Sequence, residues 1–323
     1  RKASVCRART GRQACAGLSL ILAATQSRFD PVMPSRLLRH TASFNGPLKQ
    51  NVKHQFAVSY AMAIHTRNTV FTFIPKNACT LMRYNVALEN QVISGPEDLN
   101  WIHRNNSTFT PSHNELVTAA YTFVILRCPF RRLVSHFLHR IIEEPHLMLG
   151  IPERNPAPTQ YLAQWFRRAM TGRRDVETPG NQPETDSLTF SDFVAFLEAP
   201  GVLGSDIHWR PQADFLVYRE YDDFFRLEDM PGVMTTVQEK AGFAIRGSEL
   251  LMGHGNRNRD RIQDGFFGRT DVSSLWRLKQ DMKVPDYERF YDSDLYARVG
   301  RLYAEDIALY AERFGQEAML RPV

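Results

Sequence analysis

The amino-acid sequence predicts an α/β fold with a central, mostly parallel sheet that helices flank. Two stretches carry this prediction, Val70–Arg83 and Tyr121–Arg140, because each joins an apolar run to a polar turn and then to a helical pattern. Short apolar runs bounded by turn residues are typical of strands buried on both faces, as in parallel sheets. The 323 residues, 43% of them hydrophobic, suffice for one large domain of this class or two small ones.

The first stretch has the form of a phosphate-binding turn. The run from Val70 to Ile74 predicts a strand, which Pro75 ends because proline has no N–H to donate to a sheet. The polar turn Lys76-Asn77-Ala78-Cys79-Thr80 follows, and then a helix predicted to reach about Asn90. A strand, a tight turn and a helix direct free backbone N–H groups at an anion. With the Lys76 cation and the Thr80 hydroxyl, the turn predicts a phosphate site without the glycines of a Walker loop.

The second stretch has the same order of elements. Tyr121–Leu126 predicts a buried strand, and Arg127 stands at its end, where ligands of open α/β sheets collect. Ser135 lies about two helical turns further on, at a rise of about 1.5 Å per residue. A guanidinium and a hydroxyl in these places predict a second phosphate site. Of the neighbours Arg131 and Arg132, at least one is expected to face solvent.

Together, these two segments resemble the signature segments of the carbohydrate-type sulfotransferases. Ile74–Thr80 is similar to the family's 5′-phosphosulfate loop, and Arg127–Ser135 is similar to its 3′-phosphate segment. The resemblance spans roughly residues 65–315, and its remaining segments are His208–Gln212, Tyr221–Glu228 and Phe290–Asp292. Cys128 departs from the acidic residue that relatives often carry, but this leaves the two phosphate-binding groups in place.

The resemblance implies a P-loop-like sulfotransferase fold and an enzyme that moves a sulfuryl group to a hydroxyl, with carbohydrates as the expected acceptors. It implies 3′-phosphoadenosine 5′-phosphosulfate as the donor, and no metal. Lys76 is the expected catalytic cation, because the bridging oxygen of the donor gains negative charge as its bond to sulfur breaks. The expected donor-binding residues are Lys76, Asn77, Ala78, Cys79, Thr80, Arg127 and Ser135.

The acceptor hydroxyl must lose its proton, so a general base should lie within hydrogen-bond reach of it. His103 is the favoured candidate, because it follows an apolar pair and precedes a polar loop, as at the end of a strand. His113 and His208 are the alternatives, either as the base or as a contact with the acceptor. Each of them is also compatible with an ordinary histidine in a loop.

Two other functions remain open at this point. Cys79 at a helix N-terminus, with His103 or His136 nearby, could form a Cys–His hydrolase, but this leaves the Arg127 segment unexplained. The net charge of +5 and the pI of about 9.1 fit a non-catalytic polyanion-binding protein. Nucleic acid is not an expected partner, because aromatic residues do not recur at the spacing of a base-stacking surface.

The chain is predicted to have a leader and one main domain. Residues 1–50 are basic and are expected to lack regular structure. Their apolar run is shorter than the ~20 residues needed to span a bilayer. The sulfotransferase domain is predicted over 51–318, with a Pro/Arg-rich insertion at about 143–188 that either contacts the acceptor or is solvated.

The four cysteines bear on the expected location of the protein. Cys79 and Cys128 lie inside the two phosphate segments, where a disulfide would obstruct the ligand. Cytoplasm, a reducing compartment, is therefore the expected location, or a Golgi or other membrane if an N-terminal anchor is missing. The sequence leaves the oligomeric state open.

Overall fold

Four strands form the central sheet of the protein, for which we describe a computed structural model. The structure describes residues 36–41, 44–144, 188–247 and 259–321. The strands, in spatial order, are β1 (Ala61–Ile64), β2 (Thr69–Thr72), β3 (Tyr121–Leu126) and β4 (Asp223–Arg226). β1 is antiparallel to β2, whereas β2, β3 and β4 are parallel. The predicted α/β fold with a mostly parallel sheet is therefore confirmed.

Helices of the described segments pack around this sheet. They are α1 (Val52–Ser59), α2 (Cys79–Glu89), α3 (Leu99–Arg104), α4 (His113–Thr118), α5 (Pro129–His136), α6 (Phe190–Leu197), α7 (Met230–Ala241), α8 (Val272–Gln280), α9 (Ser293–Leu302) and α10 (Ala304–Phe314). α5 continues as a short π-helix over Phe137–Ile141. A second, two-stranded parallel sheet pairs β5 (Asp260–Ile262) with β6 (Lys283–Pro285).

Hydrophobic cores lie on both faces of the central sheet, and β3 contributes to each. Phe123 and Ile125 point into the core that α2 and α7 cover. Val124 and Leu126 point into the opposite core, which α5, α6 and α9 cover. All six residues of β3 are buried, because successive side chains of a strand point to opposite faces. This explains the continuous apolar run in the sequence.

Local sequence signals fix where several of these helices begin. Ser112 accepts a hydrogen bond from the backbone N–H of Glu115, and the Glu115 carboxylate accepts one from the backbone N–H of Ser112. This capping box starts α4. Pro129 occupies the first turn of α5, where a missing N–H costs no hydrogen bond. Only Arg127 and Cys128 separate α5 from β3, which puts the helix N-terminus close to the end of that strand.

One local prediction is wrong. The segment Trp101-Ile102-His103 was expected to end a strand, but it lies in α3, a helix of six residues. Its apolar residues are buried against α2 rather than in the sheet, and Ile102 is 2% exposed. A single apolar pair cannot distinguish a strand from a short buried helix, so tertiary packing decided the conformation here.

Part of the predicted leader packs on the fold. Arg36 is buried and pairs with Asp222 at 2.8 Å, and Leu38 forms a β-bridge with Tyr218. The folded part of the chain therefore extends at least to Arg36. Residues 1–35 and 42–43 of the predicted leader and most of the predicted insertion, residues 145–187, lie outside the described residues. Within the described ranges, no helix combines the length and apolar character needed to cross a bilayer.

Candidate active site

The two predicted phosphate-binding segments meet at the carboxyl edge of the sheet. β2 and β3 are parallel neighbours, with Thr72 paired to Val124, so their carboxyl ends lie side by side. The turn after β2 is tied to β3 by Asn77, whose Nδ2 donates to the main-chain oxygen of Ile125 at 2.9 Å. Asn77 is fully buried. The structure therefore brings together two segments that are separated by about fifty residues in the sequence.

The turn after β2 presents free backbone N–H groups, but the N–H of Asn77 is not one of them. Lys76 and Ala78 have positive φ angles of 72° and 57°, the left-handed region that glycine usually occupies. Among the described residues, no backbone or side-chain acceptor pairs with the N–H groups at the start of α2, those of Ala78, Cys79, Thr80 and Leu81. The Asn77 N–H differs, because it donates to the oxygen of Ile74 at 3.1 Å.

These geometric features make the turn suited to an anion. The first N–H groups of an α-helix have no partner inside the helix, and the helix dipole adds partial positive charge there. Non-glycine residues with positive φ cost conformational energy and cluster at functional sites. Asn77 contributes to this arrangement through its buried side chain, which anchors the turn, rather than through its main-chain N–H.

Lys76 adds a cation that no side chain of the described segments neutralises. Its side chain is half-buried, and it has no ion pair or hydrogen bond with the described residues. Burial, followed by the charge of Arg127, lowers the pKa of Lys76 to about 8. The ammonium therefore stands in a partly desolvated, electropositive place where a negatively charged ligand would stabilise it.

Arg127 follows β3 and directs its guanidinium towards the first turn. Its Nη1 donates to the main-chain oxygen of Lys76 at 3.1 Å, and its Nη2 donates to the hydroxyl of Tyr287 at 3.4 Å. Its Nε is buried without a hydrogen-bond partner, and no described carboxylate pairs with the guanidinium. A buried, unpaired donor on a cation is costly, and an anion would satisfy it.

Gln212 hydrogen-bonds to both segments and connects them. Its Oε1 accepts hydrogen bonds from Asn77 Nδ2 at 2.7 Å and from the Arg127 N–H at 3.0 Å, and its Nε2 donates to the Arg127 oxygen at 2.8 Å. The backbone N–H of Gln212 donates to Asp306 at 2.7 Å. Both groups of one buried amide are thus used to fix the first turn against the second.

Arg132 is a structural clamp and does not face solvent. It is 2% exposed, and its guanidinium donates to the main-chain oxygens of Pro75 at 3.1 Å, Arg210 at 2.8 Å and Ile207 at 3.3 Å. Its neighbour Arg131 is half-buried and pairs with Glu288 at 2.6 Å. The expectation that one of the two arginines simply faces solvent is therefore wrong.

The two predicted hydroxyl groups lie on the helices that follow β2 and β3. Thr80 is half-buried in the first turn of α2, next to the free N–H groups. Ser135 is half-buried near the end of α5, the helix that follows Arg127. Neither side chain has a hydrogen-bond partner among the described residues. Both hydroxyls can therefore bind a ligand without breaking an existing contact.

Of the three histidines proposed from the sequence, His208 is the one whose described side chain lies beside this turn. Its Nδ1 lies 2.8 Å from Asp206, and its Nε2 lies 3.3 Å from Nη2 of Arg140. The ring stacks on that of His136 with 5.7 Å between centroids. His136 is buried, and burial followed by the charges of His208 and Lys76 keeps its pKa well below the ordinary value.

The structure places His113 elsewhere. α4, which His113 begins, is held near the amino end of β2, because Asn68 donates to the oxygen of Thr118 and His65 contacts Glu115 at 2.8 Å. His113 is exposed at that opposite edge of the sheet. The backbone of His103 lies in α3, beside α2, whereas its side chain is not among those described.

Neither cysteine of the two segments shows the contacts of a nucleophile. Cys79 is half-buried and free, and no described histidine ring is hydrogen-bonded to it. Cys128 is buried, accepts a hydrogen bond from the Leu320 N–H at 3.4 Å, and has a pKa raised by burial. In the described ranges, no three metal-ligating side chains cluster.

Several residues of the site were not identified as such from the sequence. Arg140, Gln212 and Tyr287 come from three different segments, and their roles depend on contacts across the fold, whereas Asp206 contacts His208 two residues further on. For Gln212 a signal existed, because it closes the His208–Gln212 segment of the resemblance. For Tyr287 there was none: its ring lies under both Arg127 and Arg261 because the 3-10 turn Tyr287–Phe290 packs beside α5.

Comparison with known proteins agrees with this geometry. The model of the sulfotransferase family Sulfotransfer_2 matches residues 60–311, which include both phosphate-binding segments and the His208–Gln212 segment. No curated protein and no solved structure matches the chain. The match covers more than three quarters of the sequence. This chain is therefore a member of the sulfotransferase family, whose activity is sulfuryl transfer.

Proposed function

We propose that this protein transfers a sulfuryl group from 3′-phosphoadenosine 5′-phosphosulfate to a hydroxyl group of a carbohydrate. The observation that carries the proposal is the pair of unneutralised cations, Lys76 and Arg127, on the adjoining ends of β2 and β3. Such a donor nucleotide has anionic groups at both its 5′ and 3′ positions. Two cationic loops joined by a direct hydrogen bond suit one ligand with two anionic groups.

The residues of the first turn fit the 5′-phosphosulfate end. The N–H groups of Ala78, Cys79 and Thr80 are unpaired within the described structure, and the Thr80 hydroxyl lies among them. Asn77 belongs to this set as the residue that fixes the turn. Helix N-termini with free N–H groups bind phosphate readily. This arrangement supports the assignment of the turn to the 5′ end of the donor.

The residues of the second segment fit the 3′-phosphate. The planar fork of Arg127 suits a phosphate, and its unpaired Nε supplies a donor that the protein does not use. Ser135 offers a free hydroxyl on the following helix. These features support Arg127 and Ser135 as the 3′-phosphate ligands.

Lys76 is proposed as the catalytic cation. When the donor is bound, sulfuryl transfer leaves growing negative charge on the bridging oxygen of its phosphate. Fixed positive charge placed at that oxygen stabilises the transition state more than the ground state. Lys76 offers such a charge without an internal counter-ion, and the amides of α2 add partial charge of the same sign.

Sequence and geometry direct attention to different histidines for the general base. The sequence favours His103, on a helix that adjoins α2, and His103 stays a candidate on that ground. The described contacts favour His208 instead, because Asp206 holds its ring and Arg132 links its backbone to the first turn. No observation supports His113, which lies at the other edge of the sheet.

The carbohydrate acceptor is proposed from the resemblance of the two segments to carbohydrate-type sulfotransferases. The test is to incubate the protein with radiolabelled donor and, separately, unsulfated chondroitin, heparosan and dextran. We expect label in at least one polysaccharide and release of adenosine 3′,5′-bisphosphate in equal amount. Transfer to 2-naphthol but to none of the polysaccharides would replace the carbohydrate by another hydroxyl-bearing acceptor. Absence of transfer to every probe would count against the proposed activity as a whole.

A further inference from the structure

We propose that His208 is the base that takes the proton from the acceptor hydroxyl, and that Asp206 positions its ring. This inference rests on the sulfuryl transfer proposed above and adds to it the group at which the acceptor is activated. It follows from four observations on the described residues: the place of His208, its tautomer, the contact with Arg140 and the exposure of its ring.

The backbone before His208 is held next to the backbone before Lys76. The guanidinium of Arg132 donates to the oxygen of Pro75 at 3.1 Å and to the oxygen of Ile207 at 3.3 Å. Arg132 is almost fully buried, so this connection is rigid rather than a mobile surface contact. The two contacted residues directly precede the proposed catalytic cation and the proposed base. Arg132 therefore holds the backbone at both of these positions.

The contacts of Asp206 select one tautomer of the His208 ring. Asp206 Oδ1 accepts from the backbone N–H of His208 at 2.7 Å and lies 2.8 Å from its Nδ1. Burial would raise the pKa of Asp206, but the hydrogen bonds from His208 outweigh it and lower that pKa. The carboxylate therefore holds the ring proton on Nδ1, and Nε2 carries the lone pair that a base needs.

Arg140 shows that Nε2 is the accepting nitrogen. Nη2 of Arg140 lies 3.3 Å from Nε2, and an arginine can only donate. Its Nη1 donates to Glu144 at 3.0 Å. A quarter of the Arg140 side chain is exposed, so it can move aside when an acceptor hydroxyl takes its place at Nε2. Glu144 then keeps the arginine paired.

Exposure distinguishes His208 from the neighbouring ring. His208 keeps 22% of its side-chain surface, whereas His136 is 1% exposed and both its ring nitrogens lack a partner. An acceptor can therefore reach His208 but not His136. Because the two rings stack, His136 excludes water from one side of His208.

In the transfer step, the acceptor oxygen forms a bond to sulfur with the electron pair of its O–H bond, and the proton passes to Nε2 of His208. The bond between sulfur and the bridging oxygen breaks, and the leaving bisphosphate keeps that electron pair. Asp206 stabilises the imidazolium, which then releases its proton to water.

The experiment compares five variants, using radiolabelled donor and whichever of the polysaccharides named above wild type sulfates fastest. For His208→Ala and His208→Gln we expect kcat to fall by about 10²- to 10⁴-fold, as for loss of a general base. Binding of adenosine 3′,5′-bisphosphate should not change, which also shows that the variants are folded. Added imidazole should restore part of the activity of His208→Ala. The control His113→Ala should behave as wild type.

Asp206→Asn tests the positioning role through the pH profile. The carboxylate stabilises the imidazolium, so its loss should move the acid limb of kcat/KM to lower pH, with a lower plateau. The other groups that contact the ring, the guanidinium of Arg140 and the imidazole of His136, are unchanged in this variant. A merely structural role of Asp206 would leave the acid limb in place.

Three results would overturn the assignment. One is full turnover in both His208 variants, above all if His103→Ala abolishes turnover. Another is loss of bisphosphate binding in both variants with no rescue by imidazole, which would show a structural role. The third is an acid limb that does not move in Asp206→Asn. If wild type itself sulfates none of the probes, the proposed function fails, which is a different result from an active wild type with active His208 variants.

Discussion

Arg127 donates a hydrogen bond from Nη1 to the main-chain oxygen of Lys76 at 3.1 Å. The arginine follows β3 and the lysine follows β2, so this contact joins the two predicted phosphate-binding segments directly. Arg127 also helps to lower the pKa of Lys76, second to burial. The two segments therefore form one electrostatic unit, in which each cation raises the cost of the other until an anion binds.

Replacing Lys76 should impair turnover far more than donor binding. In Lys76→Ala we expect kcat to fall about 10²- to 10³-fold, the usual cost of removing one group that stabilises a developing negative charge. The dissociation constant of adenosine 3′,5′-bisphosphate should change much less, because the amides of α2 and Arg127 remain. Steady-state kinetics and calorimetry measure the two effects. Lys49→Ala, an exposed lysine, is the control, and equal losses of turnover and binding in Lys76→Ala would contradict the catalytic role.

The pKa of Lys76 predicts an alkaline limit of activity. Lys76 is charged below about pH 8 and neutral above it, so kcat/KM should fall as the pH rises through about 8. The limb in kcat should lie at higher pH, because bound phosphates favour the charged lysine. In Lys76→Arg the side chain stays charged over this range, so the limb should vanish even if the rate is lower. A limb at the same pH in both proteins would assign it to another group.

Arg127→Ala should weaken binding of the 3′-phosphate selectively. A hydrogen bond to a charged group contributes about 1.5–3 kcal/mol, so the bisphosphate should bind about 10- to 100-fold more weakly. Binding of 5′-AMP, which lacks the 3′-phosphate, should change little. Parallel titrations of both nucleotides measure this difference. An unchanged dissociation constant for the bisphosphate would remove Arg127 from the 3′-phosphate site.

Gln212→Leu should affect both phosphate sites and the stability of the fold. The substitution leaves Asn77 Nδ2 and the N–H and oxygen of Arg127 short of a partner, and each such buried group costs about 1–3 kcal/mol. We expect a melting temperature lower by on the order of 5 °C or more, with weaker binding of both the bisphosphate and 5′-AMP. Gln238→Leu, an exposed glutamine of α7, is the control. Loss of bisphosphate binding alone would show that Gln212 does not hold the first turn.

The elements that were predicted correctly are those with strong local signals. β3 matches the predicted run Tyr121–Leu126, since every one of its residues is apolar or β-prone and both faces are buried. α2 matches because a polar turn precedes a regular apolar pattern. The order of the two cationic turns was enough to predict that both lie at one edge of a parallel sheet. These features depend on short stretches of sequence.

The site features that were missed depend on long-range contacts. In the sequence, Arg132 has the pattern of a surface arginine beside Arg131. It is buried because its guanidinium donates hydrogen bonds to the distant backbone of Ile207 and Arg210. Gln212 lies 85 residues from Arg127, and no local pattern reveals an amide that uses both its groups on another segment. The expected strand at His103 failed for the same reason, because packing against α2 favoured a helix.

The measurement that tests the central claim most directly is calorimetric titration of the wild-type protein with adenosine 3′,5′-bisphosphate and, separately, with 5′-AMP. Two phosphates of one nucleotide should bind here, one to Lys76 and the amides of α2 and the other to Arg127 and Ser135. We therefore predict one site per chain, much tighter binding of the bisphosphate than of 5′-AMP, and loss of that difference in Arg127→Ala. Equal affinity for the two nucleotides, or binding of neither, would contradict the assignment of the two turns to a single donor.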